Sequence, residues 1–170
     1  MAPNQITLTE PVSSPPESGK TVAWIACEIT CETFNLAFQE ATDALDWKLE
    51  IISVATVGNS TAILQALDIG ADFIAITGTP PATIAEEITI AKERGVGIFM
   101  CFDTTIPDPA NNNIFTNCAG EASAYASGQI IANKVIVESG GNANVLMINI
   151  PDFEILVSQP VSYTHLTLPT

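Results

Sequence analysis

The sequence predicts an α/β fold, an open parallel sheet flanked by helices, and three observations point to it. Runs of strand length are apolar at successive positions, as in TVAWIAC (21–27), FIAIT (73–77) and VGIFMCF (96–102), so both faces of each strand are expected to be covered. Segments of helical period follow most of these runs, and strand–helix–strand repetition specifies parallel pairing with right-handed crossovers. Glycine or proline stands at many of the junctions.

The elements follow in order. Thr21 to Cys27 is the first strand. Phe34, Ala37, Phe38, Ala41, Ala44 and Leu45 share one face of the helix after it. Leu49 to Ala55 is rich in β-formers and reads as a second strand. Ser60 to Ile69 is a short helix, capped by Asn59 or Ser60 and stopped by Gly70. Phe73 to Thr77 is a third strand. Thr79 is the expected cap of the next helix, and Pro80 and Pro81 open it where a missing N–H costs little. Ile84, Ile88 and Ala91 point inward from that helix, and Gly95 ends it. Val96 to Phe102 is the fourth strand, with Asp103 at its exit. TTIPDPANNN is a turn-rich loop leading to a short strand, Ile114 to Cys118. A helix from about Gly120 to Val137 carries Ala124, Gly128, Ile131 and Val135 on one face and closes at Gly140-Gly141. Val145 to Ile150 reads as a last strand.

Composition limits the function classes. The chain has 170 residues, of which 47% are hydrophobic, enough for one sizeable core. No apolar run approaches the roughly 18–20 residues that a membrane-spanning helix needs. Five Lys+Arg stand against nineteen Asp+Glu, a net charge of −14. Nucleic-acid binding requires a cationic footprint that this balance cannot supply, and basic attachment to an anionic membrane is disfavoured for the same reason.

The ends read differently from the middle. Residues 1–19 hold four of the eleven prolines and have no apolar period, as in an extended tether without a signal sequence. Residues 161–170, VSYTHLTLPT, contain the only histidine, His165, and resemble the translation of a sequencing adapter, a non-native tail. The foldable part is then 20–160.

Several chemistries are demoted by what is missing. The loop after the first strand, EITCET, has no glycine to admit a pyrophosphate, and no P-loop occurs. Cys27, Cys31, Cys101 and Cys118 lack a neighbouring histidine base, and only Cys27 and Cys31 are spaced as a pair of zinc ligands. No cofactor is expected. Cys101 reads as a buried thiol, and Cys27 with Cys31 can form a short disulfide if the compartment is oxidising; four cysteines allow three full pairings, among which the sequence does not choose.

The informative positions lie at strand exits, where α/β sheets hold ligands. Asp103 follows a run of apolar residues; it either grips paired hydroxyls or closes an Asx-turn. Phe34 either stacks on an apolar sugar face or belongs to the core. Glu28 is a ligand contact or a solvated acid, and Thr77 can turn a hydroxyl into the same crevice.

The arrangement TVAWIAC…TFNLAFQEATDAL…GADFIAITG…PPATIAEEITIAKERGVGIFMCFD resembles the amino-terminal lobe of the type I periplasmic sugar-binding proteins, the solute receptors of ABC importers. NCAGEASAYASGQIIANKVI resembles the helix where such a chain crosses into its second lobe, and NANVLMINIPDFEIL that lobe's first strand. The resemblance implies a first lobe at 20–118 and the beginning of an incomplete second lobe at 119–160. It implies a small polar ligand such as a sugar, an ABC permease as partner, and recognition without catalysis. AWIACEITCETF is similar to a lipoprotein subgroup of Gram-positive bacteria, which implies an extracytoplasmic protein whose only membrane attachment is a lost lipid anchor. Position by position, Cys27 falls at a small polar contact, Phe34 at the stacking aromatic, Thr77 at a strand-end polar residue, Asp103 at the hydroxyl-binding acid and Asn117 at the hinge. Thr104 stands where arginine is common in sugar binders, and Cys31 where asparagine is common. The alternatives are the effector domain of a regulator with the same fold and an α/β enzyme; residues 1–19 contain no helix-turn-helix and no basic helix, which counts against a repressor.

Overall fold

The computed structural model describes residues 12–27, 31–148 and 155–156. Glu28, residues 1–11 of the expected tether, positions 149–150 of the expected last strand and the tail 161–170 lie outside them.

Five strands form one sheet: β1 (Thr21–Ala26), β2 (Lys48–Ser53), β3 (Phe73–Thr77), β4 (Gly97–Cys101) and β5 (Ile114–Asn117). Their order is β2-β1-β3-β4-β5, and every pairing is parallel. Helix α1 (Asn35–Ala44) connects β1 to β2 after a 3-10 turn at Cys31–Phe34. The short α2 (Val54–Val57) and α3 (Asn59–Asp68) connect β2 to β3, and a 3-10 turn at Pro81–Ile84 with α4 (Ala85–Glu93) connects β3 to β4. The chain steps one way from β1 to β2 and the other way from β2 to β3 to β4. Right-handed crossovers therefore put α1 on one face of the sheet and α3 and α4 on the other.

Burial follows that division. On the α3/α4 face, Ala23, Ile25, Ile74, Ile76 and Ile98 pack with Ala62, Ile63, Ala66, Ile84 and Ile88. On the α1 face, Val22, Trp24, Ala26, Ala75 and Cys31 form a second cluster, joined by Phe38, Trp47, Phe73 and Phe99. The alternate residues of β1 thus serve two cores, which is why its run is apolar throughout.

Some local expectations need correction. Thr79 does not cap the helix after it: its hydroxyl donates to the carbonyl of Thr77 (3.2 Å), and the extended Pro80 leads directly into the turn. Likewise Gly58, at φ +79°, occupies the cap of α3 without a side-chain bond, so neither Asn59 nor Ser60 fills that role. The 105–113 loop contains a further short helix, α5 (Pro109–Asn112), whose cap Asp108 accepts from Asn111 N (3.2 Å) and Asn111 Nδ2 (2.6 Å). Those two bonds hold the Asp108 carboxyl below its ordinary pKa. In α6 (Glu121–Ser139) the buried row is Ala124, Gly128 and Ala132, at i, i+4 spacing, while Ile131 is half exposed. Val145 to Ile148 form no strand and are exposed, since no neighbouring strand among the described residues offers them a ladder. The last residues of the expected tether are tied down: Gly19 N donates to Asp46 O (2.8 Å), and Trp47 Nε1 donates to Glu17 O (2.6 Å). Among the described residues, no helix is long and apolar enough to cross a membrane.

Two disulfides cross-link the carboxyl ends of the strands. Cys27–Cys31 ties the exit of β1 to the 3-10 turn, with the Cα atoms 5.8 Å apart. Cys101–Cys118 ties β4 to the exit of β5 at 4.8 Å, so Cys101 is not a free thiol. The reason is register: Met100 is the ladder partner of Asn117, so the next residue on each strand meets its counterpart at the ordinary interstrand spacing.

Two outcomes follow for stability. Replacing the fully buried Ile76 by alanine is expected to cost about 2–5 kcal/mol in a denaturant titration, whereas Ile51→Ala, on the edge strand and 47% exposed, should cost well under half as much. Because its loop is longer, removing Cys101–Cys118 by paired serine substitution should cost about 3 kcal/mol, against about 2 kcal/mol for Cys27–Cys31, measured the same way under non-reducing conditions.

Candidate functional site

Strand order reverses at β1, whose outgoing chain runs to β2 while that of its neighbour β3 runs to β4. The two loops diverge and leave a crevice at the carboxyl ends of β1 and β3, the place where an open α/β sheet receives a ligand.

The crevice opens onto a cavity of about 380 Å³ on the α1 face of the sheet. Its floor is Val22, Trp24, Ala75 and Phe99; Phe38 and Leu45 line its α1 side, and Phe34, Thr77, Phe102 and Cys118 line its mouth. Nearly all of these are apolar. Trp24 stacks on Phe38, with centroids 4.4 Å apart, and meets the ring of Phe34 edge-on at 6.4 Å. Its Nε1 donates to Asn35 Oδ1 (2.8 Å), so the indole is fixed at both its apolar body and its polar tip.

Of the residues expected from sequence, Phe34 and Thr77 line this cavity, whereas Cys27, Asp103, Thr104 and Asn117 lie at strand exits and are not part of its lining. Cys27, half-buried beyond β1, reaches Thr77 through its disulfide: Cys31 Sγ lies 3.2 Å from Thr77 Oγ1. A disulfide sulfur has no proton, so Thr77 donates, and the hydroxyl expected to face the crevice is held by the neighbouring loop. Phe34 ends the 3-10 turn with 41% of its surface exposed; it borders the core yet keeps open surface.

Asp103, Thr104 and Asn117 gather at the exits of β4 and β5. Asp103 is only 2% exposed, and its Oδ1 accepts from Thr105 N (2.6 Å). The Asx-turn weighed for this residue is therefore formed, and it orients the carboxylate. Asn117 Nδ2 donates to Asp103 O (2.6 Å) and Thr105 O (3.1 Å), which locks the β4 exit to the end of β5. Its Oδ1 is buried and unpartnered, although it retains full acceptor capacity. Thr104 is half-buried beside Asp103.

Sequence reasoning missed the residue that links the two groups. Phe102 lies between the bridged Cys101 and the anchored Asp103, lines the cavity mouth, and places its ring 6.3 Å from that of Phe34. The available signal was a bulky aromatic at the last position of the apolar run, directly before the strand-exit acid; in the structure β4 already ends at Cys101. Among the described residues, no group of His, Cys, Asp and Glu could hold a metal ion.

No protein-family model matches this sequence, and no curated protein matches it. Solved structures do. The solute-binding protein of a 5-methylthioribose transporter from Thermotoga lettingae, solved with 5-methylthioribose, superposes with a TM-score of 0.68 at 19% identity, over 86% of this chain and 46% of that one. An ABC sugar transporter subunit from Rhodobacter sphaeroides gives 0.64 at 14% identity, over 88% of this chain and 52% of that one. A galactofuranose-binding protein gives 0.65 at 17% identity, over 86% and 51% respectively. The chain therefore has the periplasmic binding protein-like fold, a five-stranded parallel sheet flanked by helices, and spans about half the length of these solved proteins.

Proposed function

We propose that this chain is part of an extracytoplasmic solute receptor that delivers a sugar, or a similar small polar ligand, to the permease of an ABC importer. Residues 20–118 are its first lobe and 119–160 the beginning of its second. The observation that carries the reading is the pairing of unlike surfaces at one rim. A buried, oriented carboxylate at Asp103 directly follows an aromatic mouth built from Phe34 and Phe102. Sugars have this dual character, with hydroxyls at the edge and C–H groups on the faces. Carboxylates accept from the hydroxyls, and aromatic rings cover the C–H surface.

The roles divide accordingly. Asp103 offers the oxygen not held by Thr105 to a ligand hydroxyl, and Asn117 Oδ1 offers a second acceptor. Phe34 covers an apolar ligand face. Thr77, held by Cys31, contributes mainly by fixing the loop that bears Phe34. Thr104 borders the acid, Cys27 anchors the first loop through its disulfide, and Glu28 adjoins that loop in sequence. The disulfides accord with an oxidising compartment outside the cytoplasm. Solved proteins of this fold include transporter binding subunits, which favours recognition over turnover.

Asp103→Ala is expected to weaken binding of a responsive sugar at least tenfold, since hydrogen bonds to charged groups contribute about 1.5–3 kcal/mol. A sugar panel read by thermal shift and calorimetry measures this; an unchanged ligand-induced shift removes Asp103 from the site. Phe34→Leu keeps the apolar bulk but loses the flat face, and should weaken the same sugar about three- to tenfold.

A further inference from the structure

Three non-glycine residues have positive φ: Asp46 (55°), Asn113 (56°) and Phe102 (57°). Asp and Asn tolerate this left-handed region through their short polar side chains, but a bulky aromatic does not, so Phe102 is the outlier. Its neighbours enforce the conformation. Cys101 is bridged to Cys118 and is the ladder partner of Thr77, while Asp103 is anchored by Thr105 N. The result is an aromatic ring left 42% exposed at the cavity mouth. Backbone strain and an exposed aromatic are both unfavourable for folding alone, and strain of this kind gathers at functional sites.

The geometry of the partner ring gives the strain a use. Phe34 and Phe102 come from opposite sides of the crevice, one after β1 and one after β4, with centroids 6.3 Å apart and planes at 48°. They form two walls of an open corner beside Asp103, each similarly exposed. Building on the solute-binding reading, we infer that Phe102 is a specificity-determining residue, the second wall of an aromatic corner that selects a closed sugar ring over its open-chain alditol. A rigid ring presents C–H surfaces at fixed angles to both walls. A flexible alditol must be ordered first, which costs conformational entropy.

The test compares the chain with its Phe102→Gly and Phe102→Leu variants against two probe pairs: D-ribose with ribitol and D-galactose with galactitol. Glycine removes both ring and strain, whereas leucine keeps the bulk and the strained backbone but lacks a flat face. Binding is followed by the fluorescence of Trp24, which contacts Phe34, and by ligand-detected NMR. The parent chain should prefer a ring sugar, and both variants should lose about five- to tenfold of that preference. The Gly variant should melt no lower than the Leu variant, because it relieves the backbone. If the parent prefers the ring and either variant keeps that preference in full, or if Gly melts well below Leu, the Phe102 role alone is overturned. A parent that binds ring and alditol equally also overturns it, with the solute-binding reading intact. If the parent binds none of the four, that reading fails, and the Phe102 role with it.

Discussion

The architecture depends on the placement of β1 inside the sheet, paired on one edge with β2 and on the other with β3. Five residues of β1 carry both layers: Val22, Trp24 and Ala26 serve the aromatic cluster, and Ala23 and Ile25 serve the aliphatic one. The start of the strand is fixed by reciprocal bonds with Asp72, whose Oδ2 accepts from Thr21 N (2.7 Å) and whose N–H donates to Thr21 O (2.9 Å). With β1 in that position, its helix must take one face and the following helices the other, and the crevice at its exit is a consequence of topology.

The rim around that crevice is held by a chain of local constraints. The 3-10 turn is bridged to β1, Thr77 donates to the bridge, β4 is bridged to β5, and Asn117 clasps the carbonyls after β4. Each constraint acts across a short distance, and together they connect four strand exits. Such an arrangement lets a site be preformed, so that less ordering entropy is lost when a ligand arrives.

Most of the fold was legible because its signals are local and redundant. Continuous apolar runs marked β1, β3 and β4; Gly70, Gly95 and Gly140 marked helix ends through the positive φ each adopts. The failures occurred where tertiary partners decide. Val145 to Ile148 have the composition of a strand but no ladder neighbour among the described residues. Ile131 follows a helical period, yet the buried row of α6 runs through smaller side chains. At the site, the exit position of Asp103 was readable from pattern, as was its capacity for an Asx-turn. The Cys101–Cys118 bridge was not, since it depends on the register of β4 against β5. Phe102 was missed because nothing in composition reports a backbone dihedral.

The two faces of the sheet are unequally clad. Helices α3 and α4 shield one, whereas among the described residues α1 shields only part of the other, leaving Phe115 and Phe102 with open surface. Oily surface of that kind draws molecules together in water. The surplus of acidic groups, −14 in all, pushes them apart. Colloidal behaviour is thus a contest between stickiness and mutual repulsion, and only the repulsion weakens as salt shortens the Debye length.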